Sequence, residues 1–485
     1  MDAGNRSKTF LKKERQKYDQ KSSSPGMDVD IDLDLIKKYN VQGPRYTSYP
    51  TAVQFSEADD RDIVTLRHYL ADHNQEPHPV SLYFHIPFCF SLCWYCGCTK
   101  VITKDQDRGD LYLDYLEKEM DLIAGLLHED SEVIQVHFGG GTPTFLTPHQ
   151  LNRLGAAITK RFTLTPSTEF GVEIDPRRCT REHINALSHI GCNRASLGVQ
   201  DTNKQVQEAI HRIQPFEQTE RVTRWLREAG INSINFDLIY GLPRQTLATF
   251  QQTLDDVLGL RPDRLAVYSY AHIPGIMPAQ KLLREEEMPS TDEKLGMLRQ
   301  SIAYLTDNRY RFIGMDHFSR ENDELSRAMD EGTLQRNFQG YSTHSGADLY
   351  AFGMSGISNV GQYYWQNTKD LGAYYQQLDA GKSPVFKTLS LSRDDLIRKN
   401  VIIRLMCRMG IDFSRLSEKW NIRFTDYFAD ALSKLAPLEQ DGLVITAADH
   451  MHITEKGRLF LRNISMCFDR YLEPSKTEHK FSKTV

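Results

Sequence analysis

The sequence predicts an α/β protein: a partial (β/α)6 barrel entered by an extended N-terminal arm and followed by a small helical, winged-helix-like domain. Three observations carry this prediction. Six apolar, strand-like runs, at 81–86, 133–138, 169–174, 194–199, 234–240 and 264–271, alternate with helical periods. Polar or glycine-rich residues stand at the end of each run, on the face where a barrel of this kind gathers its ligands. From Ser392 the alternation gives way to helices and one hairpin.

The chain opens with a polar, lysine-rich stretch, residues 1–26, read as a disordered extension; Met27 is an alternative start. Residues 39–52, YNVQGPRYTSYPTA, carry Gly43-Pro44 and Tyr49-Pro50, which exclude a helix and predict an extended arm. A strap across the surface and an arm crossing a pocket both fit its local chemistry. Alternating β and α units then imply a parallel sheet with right-handed crossovers. Leu113, Leu116, Met120, Ile123 and Leu127 share one helix face, and Phe250, Leu254, Val257 and Leu258 another. Ser290 and Glu293 form a capping box for a helix through Leu305. Gly-Met-Asp-His-Phe at 314–318 and NFQGY at 337–341 are polar and aromatic without a simple period. Beyond Ser392 a helix through Met406, a second near 424–435, a hairpin from GLVIT (442–446) and MHIT (451–454), and a last helix from Lys456 complete the chain. The expected units are 1–26, 27–80 (arm and helix), 81–290 (barrel), 291–390 (barrel extension and connection) and 391–485 (C-terminal domain).

Composition narrows the function. The 485 residues carry 40% hydrophobic and 25% charged side chains and a formal net charge of −5. That balance fits a globular protein of several domains without a nucleic-acid partner. The winged-helix order of the C-terminal part tempts a nucleic-acid reading, but it lacks a basic excess and is read as a structural or substrate-covering lid. No apolar run is long enough to span a bilayer.

Eight cysteines are present, four of them within ten residues: Cys89, Cys93, Cys96 and Cys98 in FCFSLCWYCGCTK. Crowding in one loop favours metal ligation in a reducing compartment over a disulfide framework. Three thiolates in a C-x3-C-x2-C loop suit three irons of a [4Fe–4S] cube, leaving the fourth iron to a small molecule. Zinc prefers four ligands in paired C-x2-C spacings, and no second pair follows. Cys98 reads either as a non-ligating redox bystander or as a structural residue. Gly139-Gly140-Gly141 lets backbone approach a ligand closely because no Cβ intervenes.

The CFSLCWYC loop, GGGTP and the six βα units resemble the radical S-adenosylmethionine superfamily, which implies a TIM-like partial barrel of the radical SAM type. More narrowly, GPRYTSYPTA, YFHIPFC, CGCTK, HFGGGTPT, DLIYGLP, IGMDHF, RNFQGY and GRLFLRNISMCFDRYL resemble the oxygen-independent coproporphyrinogen III oxidases (coproporphyrinogen dehydrogenases) over nearly all of residues 30–482. A related heme-chaperone family shares the barrel and the cysteine loop but typically lacks the arm and the CGC continuation; it is the alternative.

The resemblance implies oxidative decarboxylation of two propionates of coproporphyrinogen III to vinyl groups, giving protoporphyrinogen IX. It also implies a [4Fe–4S] cluster on Cys89, Cys93 and Cys96 and two molecules of S-adenosylmethionine. Tyr83, Tyr95, Gly140 and Glu173 match contacts of the first. Gly141, Thr142, Gln200, Arg212, Asp237, Ala271 and Ile357 match contacts of the second. Asp237 and Gln200 could instead satisfy strand-end backbone, and Ala271 and Ile357 could be ordinary core. Arg45 and the arm tyrosines are the candidates for substrate propionates. A reduced flavodoxin system as electron donor, a monomer, and a cytoplasmic setting complete the expectation.

Overall fold

The computed structural model describes residues 32–338, 340–344, 346–472 and 481–484. The expected extension 1–26 and the alternative start at Met27 lie outside the described residues. The six expected strands are present as β1 (Val80–Ile86), β2 (Glu132–Gly140), β3 (Thr163–Ile174), β4 (Arg194–Gln200), β5 (Ser233–Tyr240) and β6 (Arg264–Ser269). Each pairs in parallel with the next.

Period-two alternation decides what each strand offers. In β5, Ile234, Phe236, Leu238 and Tyr240 are buried in the core, while Asn235 and Asp237 line an interior cavity. In β4, Ala195, Leu197 and Val199 are buried; Ser196, Gly198 and Gln200 line the cavity that also holds the cysteines. Successive side chains on a strand point to opposite faces, so one sequence rhythm builds both the core and the polar interior. The helices cover the apolar face. Asp107–Ala124 buries Leu113, Leu116 and Met120, with Ile123 and Leu127 half-buried and Leu127 past the helix end. Leu247–Gly259 buries Phe250, Leu254 and Val257. Thr291–Asp307 starts at the Ser290–Glu293 capping box that the sequence predicts.

The sheet is larger than the six expected strands. After β6 it continues through the antiparallel hairpin β7 (Tyr310–Gly314) and β8 (His317–Arg320), with β8 against β6. A small separate hairpin follows, β9 (Gln335–Asn337) with β10 (Gly340–Ser342). At the opposite edge a seventh parallel strand, β11 (Asp348–Phe352), lies against β1. It was not expected because all five of its residues are buried, which leaves no alternation to read. Three antiparallel strands extend that edge: β12 (Ile357–Val360), β13 (Tyr363–Asn367) and β14 (Val385–Ser390). The two-residue strand Ser56–Glu57 ends it, so the sheet stays open.

The C-terminal helix Arg393–Arg408 is capped by Ser392. The expected hairpin is β16 (Val444–Thr446) with β17 (His450–Ile453), and β17 also pairs with β15 (Gly410–Asp412). β15 and the helix Phe413–Trp420 complete the winged-helix order and were not anticipated.

The arm is stitched to this domain. The buried Arg462 guanidinium donates to the carbonyls of Gly43 and Pro44 (2.9 Å to the latter) and, from the same side chain, to Lys483 O (2.6 Å). Tyr46 Oη donates to Asp469 (2.9 Å), and Arg470 N donates to Tyr49 Oη (3.2 Å). Tyr46 and Tyr49 are fully buried. This corrects the expectation for Tyr46 and Tyr49, whose hydroxyls are buried against the C-terminal domain.

Candidate active site

The cysteine loop leaves β1 at Pro87 and is held on three sides. Phe88–Cys89 pairs in parallel with Val101–Ile102. Lys100 Nζ donates to the carbonyls of Cys96 and Cys98, both at 3.2 Å, closing the loop on itself. Trp94 N donates to Ile210 O (3.1 Å), while His211 Nδ1 lies 2.7 Å from Leu92 O and its ring stacks on Trp94.

Cys89, Cys93 and Cys96 line one cavity of about 290 Å³ at the C-terminal ends of β1 to β5. Tyr95, Gly140, Gly141, Thr142, Glu173, Gln200, Arg212 and Asp237 line it too. Cys98 also borders it but is otherwise exposed. Tyr83 sits just beneath: a Cβ on Gly139 would stand 3.0 Å from both its ring and the Glu173 carboxylate. Two predicted residues lie elsewhere. Ala271 lines a neighbouring cavity, and Ile357 packs with Phe55, Tyr364 and Leu391.

The glycines are required by space. A Cβ on Gly141 would meet Pro87 O at 2.5 Å, and Gly140 has φ +113°. A Cβ on Gly198 would stand 2.8 Å from Gln200 Nε2 and 3.0 Å from an Arg212 nitrogen. Gln200 itself has φ +67°, a strained conformation of the kind that clusters at functional sites.

The electrostatics suit anionic sulfur. Arg212 and Arg177 donate to Cys93 Sγ at 3.6 Å and 3.4 Å. Both also bind Asp175, at 3.2 Å and 2.6 Å. Burial alone would raise the Asp175 pKa, but Arg212 and Arg177 hold it at about 2, so the carboxylate keeps both cations fixed. Burial pushes the Cys89 thiol up to about 11, so without a metal it is held as the neutral thiol. Asp237 accepts from Ser196 Oγ (2.8 Å) and Asn235 Nδ2 (2.9 Å), and burial raises it to about 6. Three cysteines converging with N–H donors aimed at one sulfur, beside glycines that clear the backbone, fit a thiolate-held iron–sulfur cluster with room for a small ligand. Sequence reasoning missed Arg177; its place two residues past the β3 strand-end Asp175 was the available signal.

The comparisons agree with this geometry. The Radical SAM superfamily matches residues 83–257, and the HemN C-terminal domain matches 391–460. The chain is 45% identical over 457 residues to the oxygen-independent coproporphyrinogen III oxidase of Escherichia coli (strain K12), covering 94% of this chain and 99% of that one. It is 44% identical over 456 residues to the enzyme of that name from Pseudomonas aeruginosa (strain PAO1), covering 94% and 98%. The solved structure described as coproporphyrinogen III oxidase (HemN) from Escherichia coli, a radical SAM enzyme, superposes with a TM-score of 0.87 over 92% of this chain and 100% of that one. The open parallel barrel and its three-cysteine loop therefore define a radical SAM enzyme. Within that class, the chain belongs to the oxygen-independent coproporphyrinogen III oxidase family.

Proposed function

We infer that this chain catalyses the oxygen-independent oxidation of coproporphyrinogen III in heme biosynthesis, converting two propionates to vinyl groups. The observation that carries the reading is the single cavity uniting Cys89, Cys93 and Cys96 with the strand-end residues of β2 to β5, in a chain 45% identical to an oxidase of that name.

Cys89, Cys93 and Cys96 hold the [4Fe–4S] cluster. When bound, the cluster and S-adenosylmethionine would supply an electron and a 5′-deoxyadenosyl radical for hydrogen abstraction from a propionate β-carbon. The protein's own work is placement. Tyr83, Tyr95, Gly140 and Glu173 flank the cluster-bound S-adenosylmethionine, Glu173 accepting from its hydroxyl or ammonium groups. Gly141, Thr142, Gln200, Arg212 and Asp237 offer contacts for a second molecule, with Ala271 and Ile357 further out. Arg177 and Arg212 neutralise charge at Cys93.

The arm (27–80), barrel (81–290), extension (291–390) and C-terminal domain (391–485) act as one unit, the last as a cover that also fixes the arm. A reduced flavodoxin-type system donates the electrons, and the enzyme works as a monomer in the cytoplasm. In support of that setting, none of the eight cysteines is in a disulfide.

The test is anaerobic turnover of reconstituted protein with coproporphyrinogen III, S-adenosylmethionine and a reductant. Appearance of divinyl product is expected. Stable heme binding without vinyl product would favour the chaperone alternative instead.

A further inference from the structure

A second cavity of about 300 Å³ lies at the ends of β5 and β6, next to the cysteine cavity. Tyr268 walls the cysteine cavity, and its ring carries the Arg45 guanidinium at 5.7 Å; Arg45 in turn walls the second cavity. One residue layer therefore separates the two.

The charges in this second cavity do not balance. Arg45 is paired with Asp316, and His272 Nε2 lies 3.1 Å from Glu285. Lys294 and Lys483 also line it, and among the described residues neither forms an ion pair with a carboxylate. The Lys294 ammonium donates to the Tyr270 carbonyl at 2.5 Å. Burial and the neighbouring Lys483 push its pKa down to about 8, the signature of a cation lacking its counter-ion.

The fold fixes the Lys294 side chain and the Lys483 backbone. The Lys294 stem lies across Gly241: a Cβ there would stand 2.8 Å from Lys294 Cε, and the φ of +86° also demands glycine. Lys483 is fixed through its backbone. It bridges Gln42, its carbonyl accepts from Arg462 (2.6 Å), and Thr484 N donates to Val41 O (2.8 Å). Lys294 is half-buried and Lys483 exposed, and both line this cavity with no carboxylate paired to either among the described residues, which describes a receptor for an anion.

We propose that this cavity is a carboxylate-binding subsite in which Lys294 and Lys483 hold one peripheral propionate of the tetrapyrrole while another reacts in the cysteine cavity. The inference rests on the coproporphyrinogen reading. The same chemistry would suit the methionyl carboxylate of a second S-adenosylmethionine, since Ala271 lines this cavity.

The experiment uses the full-length, reconstituted holoenzyme and its Lys294→Met and Lys483→Met variants. The KM for coproporphyrinogen III and the dissociation constant for S-adenosylmethionine are measured side by side, with iron content and thermal midpoint as controls. Each variant is expected to raise the KM about 10-fold or more, to change kcat less than 2-fold, and to leave S-adenosylmethionine affinity and iron content unchanged. Methionine keeps the stem and removes an unpaired charge, so Lys294→Met should not lower the thermal midpoint, and Lys483→Met alters only the tail. A fall in S-adenosylmethionine affinity with an unchanged KM keeps the carboxylate subsite and reassigns its ligand. Both constants matching wild type in both variants overturns the subsite alone. Wild-type enzyme that turns over no coproporphyrinogen III overturns the tetrapyrrole reading and the propionate assignment with it.

Discussion

Gly140 N donates to Glu173 Oε2 at 3.2 Å, tying the glycine turn after β2 to the carboxylate near the end of β3. The bond fixes Glu173 at the rim of the cysteine cavity while its other oxygen lies 3.4 Å from His137 Nε2. Glu173→Gln keeps the shape and removes the charge. It is expected to leave iron content near wild type and to weaken S-adenosylmethionine binding about 10-fold, the scale of one charge-assisted hydrogen bond. Equilibrium dialysis alongside iron analysis checks this; loss of iron would place Glu173 in the cluster's support instead.

Asp237 gives a pH-dependent prediction. Burial raises its carboxyl from the ordinary 3.8 to about 6. The folded state therefore binds a proton that the unfolded state has lost between those values. The stability this group contributes is full below about pH 4 and is lost as pH rises through 6. Asp237→Asn removes that loss. Its stabilisation should grow between pH 4 and pH 6 and level off above at about 1–3 kcal/mol. Denaturant midpoints at pH 4.5 and pH 8 check the sign; an equal effect at both would contradict it.

Arg177 donates to Cys93 Sγ and is held by Asp175. N–H donors to cluster sulfur favour the reduced, more negative state. Arg177→Leu should lower the cluster's midpoint potential by on the order of 50 mV, the equivalent of roughly 1 kcal/mol for a one-electron couple. A redox titration followed by electron paramagnetic resonance reads this directly, whatever happens to turnover.

Arg462 joins the two most diagnostic motifs, GPRYTSYPTA and GRLFLRNISMCFDRYL, through the carbonyls of Gly43, Pro44, Ser482 and Lys483. Arg462→Ala leaves those buried acceptors without a donor and should cost about 3 kcal/mol. Limited proteolysis should then cut between residues 40 and 52 in the variant and not in the wild type.

Much of this was legible because alternation on a strand writes both the core face and the polar face into sequence. That is why Asp237 on β5 and Gln200 at the end of β4 both reach the cysteine cavity. The cysteine spacing is local, so its convergence did not need the fold. What failed was non-local or without a period. Asp348–Phe352 is buried on both faces and shows no alternation. Tyr46 and Tyr49 looked like free hydrogen-bonding groups until Asp469 and Arg470, more than 400 residues away, supplied their partners. Lys294 reads as an ordinary helix residue until the fold sets it across Gly241 and beside Lys483.

The cysteine assignments are testable one by one. Cys89→Ser, Cys93→Ser and Cys96→Ser should each abolish cluster binding and activity, whereas Cys98→Ser should keep the iron. The most direct measurement is iron and sulfide analysis of oxygen-protected protein, with electron paramagnetic resonance of the reduced form before and after adding S-adenosylmethionine. The account predicts four irons and four sulfides per chain and a signal that changes when S-adenosylmethionine binds. Zinc in place of iron, or a signal indifferent to S-adenosylmethionine, would contradict a cluster held by three cysteines with one iron open to its cofactor.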